Sequence, residues 1–169
     1  MAPIVRRTWA PIRRTPVLVQ RTRSHKKVSA IGAIGLKGSG RNPRLLFRLL
    51  KDQNIDSTAC VQFLRQLKQD IRGRIIVVWD RLNPHRSVQL KKWLNTQTKL
   101  CCEYFPPYAP ELNPVEYLWS YLKTNLLANY AAPNLLDLYF VSKSSICKIR
   151  KEKNLLCSFI KHSPIYFFD

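Results

Sequence analysis

Apolar and polar positions along the chain alternate between two kinds of spacing. Val28–Leu36 (VSAIGAIGL) is almost continuously apolar, and a second apolar run follows at Leu45–Leu50. Between them KGSGRN, Lys37–Asn42, has the glycines and Asn of a turn. Together these runs predict two buried strands in an antiparallel hairpin. The spacing then lengthens: Cys60, Phe63, Leu64, Leu67 and Ile71 fall on one face of a helix that Asp56 or Ser57 can cap and Gly73 can end. Ile75–Trp79 is a short unbroken apolar run, as expected of a central strand covered on both faces. Leu90, Trp93 and Leu94 mark a helix from Ser87 to about Thr96, and Leu100–Phe105 reads as a further strand. A helix from Pro114 to about Asn129 carries the stripe Val115, Leu118, Trp119, Leu122 and Leu126. Strands alternating with helices imply a mixed α/β sheet.

The two ends are less regular. Pro3, Pro11 and Pro16 sit among arginines near the start, where the missing N–H of proline predicts extended loop or a sheet edge. Leu135–Val141 continues in helical spacing, and KIRKEK, residues 148–153, reads as a charged solvated segment.

Charge adds a partner to this outline. The 169 residues hold 29 Lys and Arg against 10 Asp and Glu, a net charge of +19. Residues 1–51 alone carry 13 of those cations and no acidic residue, with Trp9 and His25 interleaved. Such a stretch suits phosphate contact, and nucleic acid is the leading class of partner. A basic solvated surface without a specific partner is the alternative. Five cysteines without CxxC spacing point to neither a disulfide framework nor a zinc site, so a reducing compartment is expected. No stretch approaches a membrane span, and MAPIVRRTWAP lacks the apolar core of a signal peptide.

Two carboxylates stand where chemistry is plausible. Asp80 follows the apolar run IIVVW, at the carboxyl end of a strand, where sites of open α/β sheets cluster. It can equally be a loop Asp that bonds nearby backbone. Glu116 opens a helix, with 35 residues between it and Asp80. Asn113-Pro114-Val115-Glu116 fits N-cap to N3, so Glu116 could complete a capping box. It shares a helix face with Ser120 and Lys123, away from the apolar stripe, and is free to point at a site. Asn83 could orient Asp80 or bond backbone, His85 is a hydrogen-bonding group or a ligand, and Glu111 could anchor its loop.

WDRLNPHRS followed by YFPPYAPELNPVEYLWSYLK closely resembles the second and third catalytic motifs of mariner-like insertion-sequence transposases, members of the DDE superfamily of endonucleases. RRTWAPIRRTPVL and HKKVSAIGAIG resemble the segment that follows that family's first motif. NLLDLYF to LLCSFIKHS is similar to its C-terminal helices. The resemblance covers nearly the whole chain.

It implies a ribonuclease-H-like (retroviral-integrase-like) α/β fold, a mixed sheet flanked by helices but lacking the first strand. Residues 1–130 would form a partial catalytic domain and 131–169 its helical tail. Asp80 and Glu116 match the second and third acidic positions, catalytic and metal-binding, with Asn83, His85, Asn113 and Lys123 as possible supporting residues. Arg6, Arg7, Arg13, Arg14, Lys26 and Lys27 are candidate DNA contacts. In the family three carboxylates hold two Mg²⁺ or Mn²⁺ ions. Hard oxygen donors suit those ions, and two-metal sites suit phosphoryl transfer.

The resemblance also places a first aspartate on a strand just before RTWAP, and no acidic residue precedes Asp52. Asp52 and Asp56 follow the hairpin, where the family has no catalytic position. The expectation is therefore a chain that acts in DNA transposition, cutting and joining strands, yet is inactive alone. Its partners would be transposon-end and target DNA, a complementing N-terminal fragment and a second copy. Its location would be cytoplasmic, on the nucleoid when bound. The alternative is a non-catalytic remnant that binds DNA without sequence choice.

Overall fold

The computed structural model describes residues 4–7, 9–17, 26–37 and 42–165. The two apolar runs form the expected hairpin: β1 (Val28–Gly35) pairs antiparallel with β2 (Arg44–Lys51), placing Val28 opposite Lys51 and Gly35 opposite Arg44. Residues 38–41 of the connecting turn lie outside the described residues. Asn42, which closes it, has φ 68°, a left-handed value that Asn tolerates better than most residues.

Helix α1 (Ser57–Asp70) starts at Asp56, whose carboxylate accepts the Ala59 N–H at 2.7 Å. It stops at Ile71, which is already extended, and Gly73, at φ 102°, turns the chain into β3 (Ile75–Trp79). A short 3₁₀ turn, Asn83–Arg86, leads to α2 (Val88–Asn95), capped by the Ser87 hydroxyl. Strand β4 (Leu100–Tyr104) then pairs parallel with β3, Ile75 lying opposite Leu100. After the loop comes α3 (Pro114–Tyr121), with Asn113 accepting the Val115 N–H at 3.1 Å.

Two features of the second half depart from the sequence pattern. The α3 helix does not run on regularly to Asn129; Leu122–Leu126 widens into a π turn, in which the Leu127 N–H reaches back to the Leu122 carbonyl. KIRKEK is not a separate solvated segment. It joins α4 (Leu135–Lys151) to α5 (Lys153–His162), with its charges outward while Ile149 is buried. One apolar position per turn on a long helix is enough to hold such a sequence against a core.

The hairpin is packed on both faces, as the two-residue period of a strand allows. Ile31, Ala33 and Leu46 face a cluster built on Cys60, Leu64 and Leu90, shared by α1, α2 and the β3–β4 pair. Leu45, Ile34 and Phe47 face a second cluster built on Leu118, Ile146, Ile149 and Leu156, shared by α3, α4 and α5.

Among the described residues β1 bonds only to β2, and β3 only to β4. Strand β3 is therefore not covered on both faces, contrary to the reading of IIVVW. Ile75 and Trp79 are buried against α1, but Ile76 is 71% and Val78 40% exposed. An unbroken apolar run gives no information about which neighbour covers which face. The opening segment, residues 4–7 and 9–17, contains no strand and runs as loop. None of the described helices is long and apolar enough to cross a membrane, and all five cysteines are free.

Candidate active site

Asp80 emerges at the C-terminal end of β3, and two contacts hold its carboxylate there. The Leu82 N–H donates to its Oδ1 at 3.1 Å, and His85 Nδ1 lies 2.7 Å from the same oxygen. The loop that carries both is tied to the neighbouring strand. Tyr104 donates its hydroxyl to the His85 carbonyl at 2.8 Å, Arg81 Nε donates to the Phe105 carbonyl at 3.1 Å, and the Phe105 N–H donates to the Trp79 carbonyl at 2.9 Å. His85 also stacks on the Trp79 indole, with ring centroids 4.3 Å apart and planes 6° from parallel.

These contacts set the charge state. Burial disfavours the charged form of each partner, yet the contact between them outweighs it. The Asp80 carboxyl is held below its ordinary range by the His85 hydrogen bond and the Leu82 N–H. The His85 imidazole is likewise pushed up to about 9, its bond to Asp80 and a smaller one to Cys60 overcoming desolvation. At neutral pH the pair is carboxylate and imidazolium, and Nδ1–H donates to Asp80.

Glu116 sits in the first turn of α3 and is not spent on capping. The Asn113 N–H that a capping box would use donates instead to the Pro110 carbonyl at 3.0 Å, because PEL forms its own 3₁₀ turn ahead of the helix. Among the described residues the Glu116 carboxylate has no hydrogen bond or salt bridge. Its pKa is raised, by burial first and by the negative charge of Asp80, against a lowering influence from Lys123. The influence of Asp80 on Glu116, though the smallest of the three, fits two carboxylates turned toward one space.

The space is a cleft of about 640 Å³ that Asp80, His85 and Glu116 line together with β1, β3 and Trp119. Serine 29 at the start of β1 bonds the Gln53 carbonyl just before α1, while Gly35 at its end stands beside Ile71 just after α1. Strand β3 begins where α1 ends, so β1 and β3 run in opposite senses along the two sides of the cleft. Both present an edge without a strand partner among the described residues.

The remaining candidates divide. Lys123 acts on Glu116 as the shared helix face implies. Asn113 is a helix cap. Asn83 does not orient Asp80: its side-chain oxygen accepts from Arg86 at 3.0 Å, since it opens the 3₁₀ turn and faces that turn's last residue. Glu111 is represented only by its carbonyl, which accepts the Tyr117 hydroxyl at 3.2 Å. Arg6 is engaged with the far end of the α3 helix, its guanidinium donating to the Thr124 carbonyl at 2.7 Å. Lys27 donates to Asn54. Arg7, Arg13 and Arg14 lie exposed in the opening loop, as Lys26 does before β1, and His25 lies outside the described residues. Sequence reasoning missed Trp79 and Tyr104 as the groups that fix His85; the only signal was an aromatic at the end of each parallel strand.

As oxygen donors Asp80 and Glu116 fit a hard divalent ion. They are only two, and among the described residues no group of three or more acidic, His or Cys side chains converges as a metal site.

A family model described as DDE superfamily endonuclease matches residues 2–138, most of the chain. The chain belongs to this family. No curated protein matches the sequence. In structure the chain is similar to the protein in the crystal structure of the Mos1 strand transfer complex, with a TM-score of 0.52 and 16% identity. That match covers 98% of this chain and 52% of the other, so this DDE endonuclease chain spans about half the length of its structural relative. The likeness establishes the fold: the mixed α/β, ribonuclease-H-like organisation expected from the motifs.

Proposed function

We propose that this chain supplies Asp80 and Glu116 to a DNA-transposition site of the mariner-like kind, and that one further strand, from the same polypeptide or another, completes it. The observation that carries the reading is the shared cleft: two carboxylates, Asp80 and Glu116, line one groove between two open strand edges. A strand entering that groove pairs antiparallel with one edge and parallel with the other whichever way it runs, satisfying backbone groups that open edges otherwise leave to solvent. The Trp79 indole N–H supports the same conclusion. It is buried without an acceptor among the described residues, an arrangement that costs about 1–3 kcal/mol and that an incoming carbonyl would relieve.

Asp80 and Glu116 are the residues that would hold Mg²⁺ or Mn²⁺ here. A bound divalent ion would supply a Lewis acid and an activated oxygen nucleophile for phosphodiester cleavage and strand joining. This chain's own residues set the site up: His85 and the Leu82 N–H orient Asp80, and α3 carries Glu116 into the cleft from the opposite side. DNA is the substrate class, and the charge of +19 draws it in.

A second reading has one observation in its favour, the absence of a third converging ligand among the described residues. Under it the chain binds DNA without cutting it. One experiment separates the two. The chain is incubated with supercoiled DNA and Mg²⁺, alone and after co-expression with an apolar strand segment that carries an Asp at its end. The proposal predicts no nicking by the chain alone and nicking by the complemented form, lost in both Asp80→Asn and Glu116→Gln. DNA retention without nicking in either form would favour the second reading; nicking that survives both substitutions would exclude the site.

A further inference from the structure

The opening loop keeps its largest apolar side chains in solvent. Trp9 is 100%, Ile12 92% and Val17 83% exposed. Yet the loop is rooted and shaped. Asn129 clasps it like a strand partner: its N–H donates to the Ile4 carbonyl at 2.9 Å, its Oδ1 accepts the Arg6 N–H at 2.8 Å, and its Nδ2 donates to the Arg6 carbonyl at 3.0 Å. The Arg6 guanidinium adds bonds to the Thr124 carbonyl and to Asn125. Thr124 lies two turns beyond Glu116, so the root stands about 12 Å from that carboxylate along the helix, at about 1.5 Å per residue. Farther out, the Arg14 N–H donates to the Pro11 carbonyl at 3.0 Å and closes a turn with Arg13 at φ 65°.

This arm displays one fully exposed indole among Arg7, Arg13 and Arg14, and no acidic residue occurs before Asp52. The chemical complement of that arrangement is a base over the indole face with phosphates to either side. A second copy of the chain would suit the apolar atoms but not the charge, since it would bring its own +19.

We propose that Arg7 and residues 9–14 grip an unpaired DNA strand beside the Asp80–Glu116 site, Trp9 stacking on a base while Arg7, Arg13 and Arg14 hold its phosphates. The proposal rests on the reading of the chain as a DNA-acting protein and goes beyond it by naming the element and the form of DNA. Paired bases inside a duplex do not offer their faces, whereas frayed ends and overhangs do.

The test compares binding of the full chain to a labelled blunt duplex and to the same duplex with a short 3′ overhang, across a salt series. Wild type is expected to prefer the overhang. Trp9→Ala should remove about tenfold or more of the overhang affinity and leave the blunt duplex nearly unchanged, while Trp9→Phe keeps most of the preference. Arg13→Ala with Arg14→Ala should weaken both DNAs and flatten the salt dependence. Wild-type binding that Trp9→Ala leaves intact, or lowers equally on both DNAs, overturns the stacking arm without touching the reading of the chain as DNA-acting. Wild-type chain that binds neither DNA overturns that reading and the arm with it. A Trp9→Ala protein with unchanged DNA affinity but a smaller sedimentation coefficient assigns the arm to a second copy and overturns the proposal.

Discussion

His85 Nδ1 stands 2.7 Å from Asp80 Oδ1 and fixes the orientation of the carboxylate proposed above as a metal ligand. The imidazole is itself clamped, by the Trp79 ring on its face and by Tyr104 on its carbonyl. Asp80 is thus aimed by a chain of contacts that begins in the parallel β3–β4 pair.

That pair has a measurable pH signature in the metal-free protein. With its pKa at about 9, His85 remains protonated at neutral pH, and an NMR titration of its ring protons should show so. Asp80→Asn should bring the midpoint down toward 6.5, the ordinary histidine value. The His85 pKa is raised on folding, so its contribution to stability is fully present below about pH 6.5 and is lost as pH rises through about 9. Asp80 has a lowered pKa, so its contribution is present above the ordinary carboxyl range and is lost as pH falls through the lowered value. Urea midpoints should therefore fall from pH 7 to pH 9.5 in wild type and change less in His85→Gln.

Gly32 and Gly35 occupy the same strand but differ in what stands above them. A Cβ at Gly32 would lie 3.0 Å from the Trp119 ring, whereas one at Gly35 would meet its nearest atom at 3.8 Å. Gly32→Ala must displace a ring packed in the second core and should cost about 1 kcal/mol or more. Gly35→Ala should be neutral or stabilising by about 0.5 kcal/mol, through the less flexible unfolded chain. Equal denaturation midpoints for the two variants would contradict the assigned packing.

The clasp between Asn129 and the opening loop should control how readily that loop is cut. Asn129 has φ 58°, so Asn129→Gly preserves the backbone and removes only the side-chain bonds. Each such bond is worth about 1 kcal/mol. Cleavage by trypsin at Arg7 should accelerate about fivefold to thirtyfold in Asn129→Gly, as about 1–2 kcal/mol of local stability is removed. No acceleration would mean that the loop is held elsewhere.

Ile76 offers a test of the open β3 face. At 71% exposure it contributes little to the core, so Ile76→Lys should leave the unfolding free energy within about 0.5 kcal/mol of wild type. The same change should suppress aggregation through the exposed edge. A loss of several kcal/mol would show that Ile76 is covered in solution.

Much of this architecture is legible in the sequence because it is local. Asp56, Ser87 and Asn113 each precede an apolar periodic run and each caps a helix, and the two apolar runs around KGSGRN pair as a hairpin. What is not legible depends on distant partners. The Asn129 clasp joins residues 123 positions apart, and the exposure of Ile76 depends on which element lies across from β3. The π turn after Tyr121 has no signal in the apolar stripe, which continues at helical spacing through Leu122 and Leu126. At the candidate site, the motif resemblance singles out Asp80 and Glu116 as proposed ligands, but spacing alone could not separate a capping Glu116 from a free one. The Pro110 carbonyl, by taking the Asn113 N–H, makes that distinction.

The central proposal is that Asp80 and Glu116 together hold divalent metal in the cleft. Adding Mn²⁺ in small amounts to isotope-labelled chain, and following paramagnetic broadening of backbone NMR signals, tests it most directly. The account predicts that the amides around Asp80 and around Glu116 broaden together at the same low Mn²⁺, and that Asp80→Asn or Glu116→Gln abolishes the effect at both. Broadening confined to one of the two segments, or unchanged by Glu116→Gln, would contradict it.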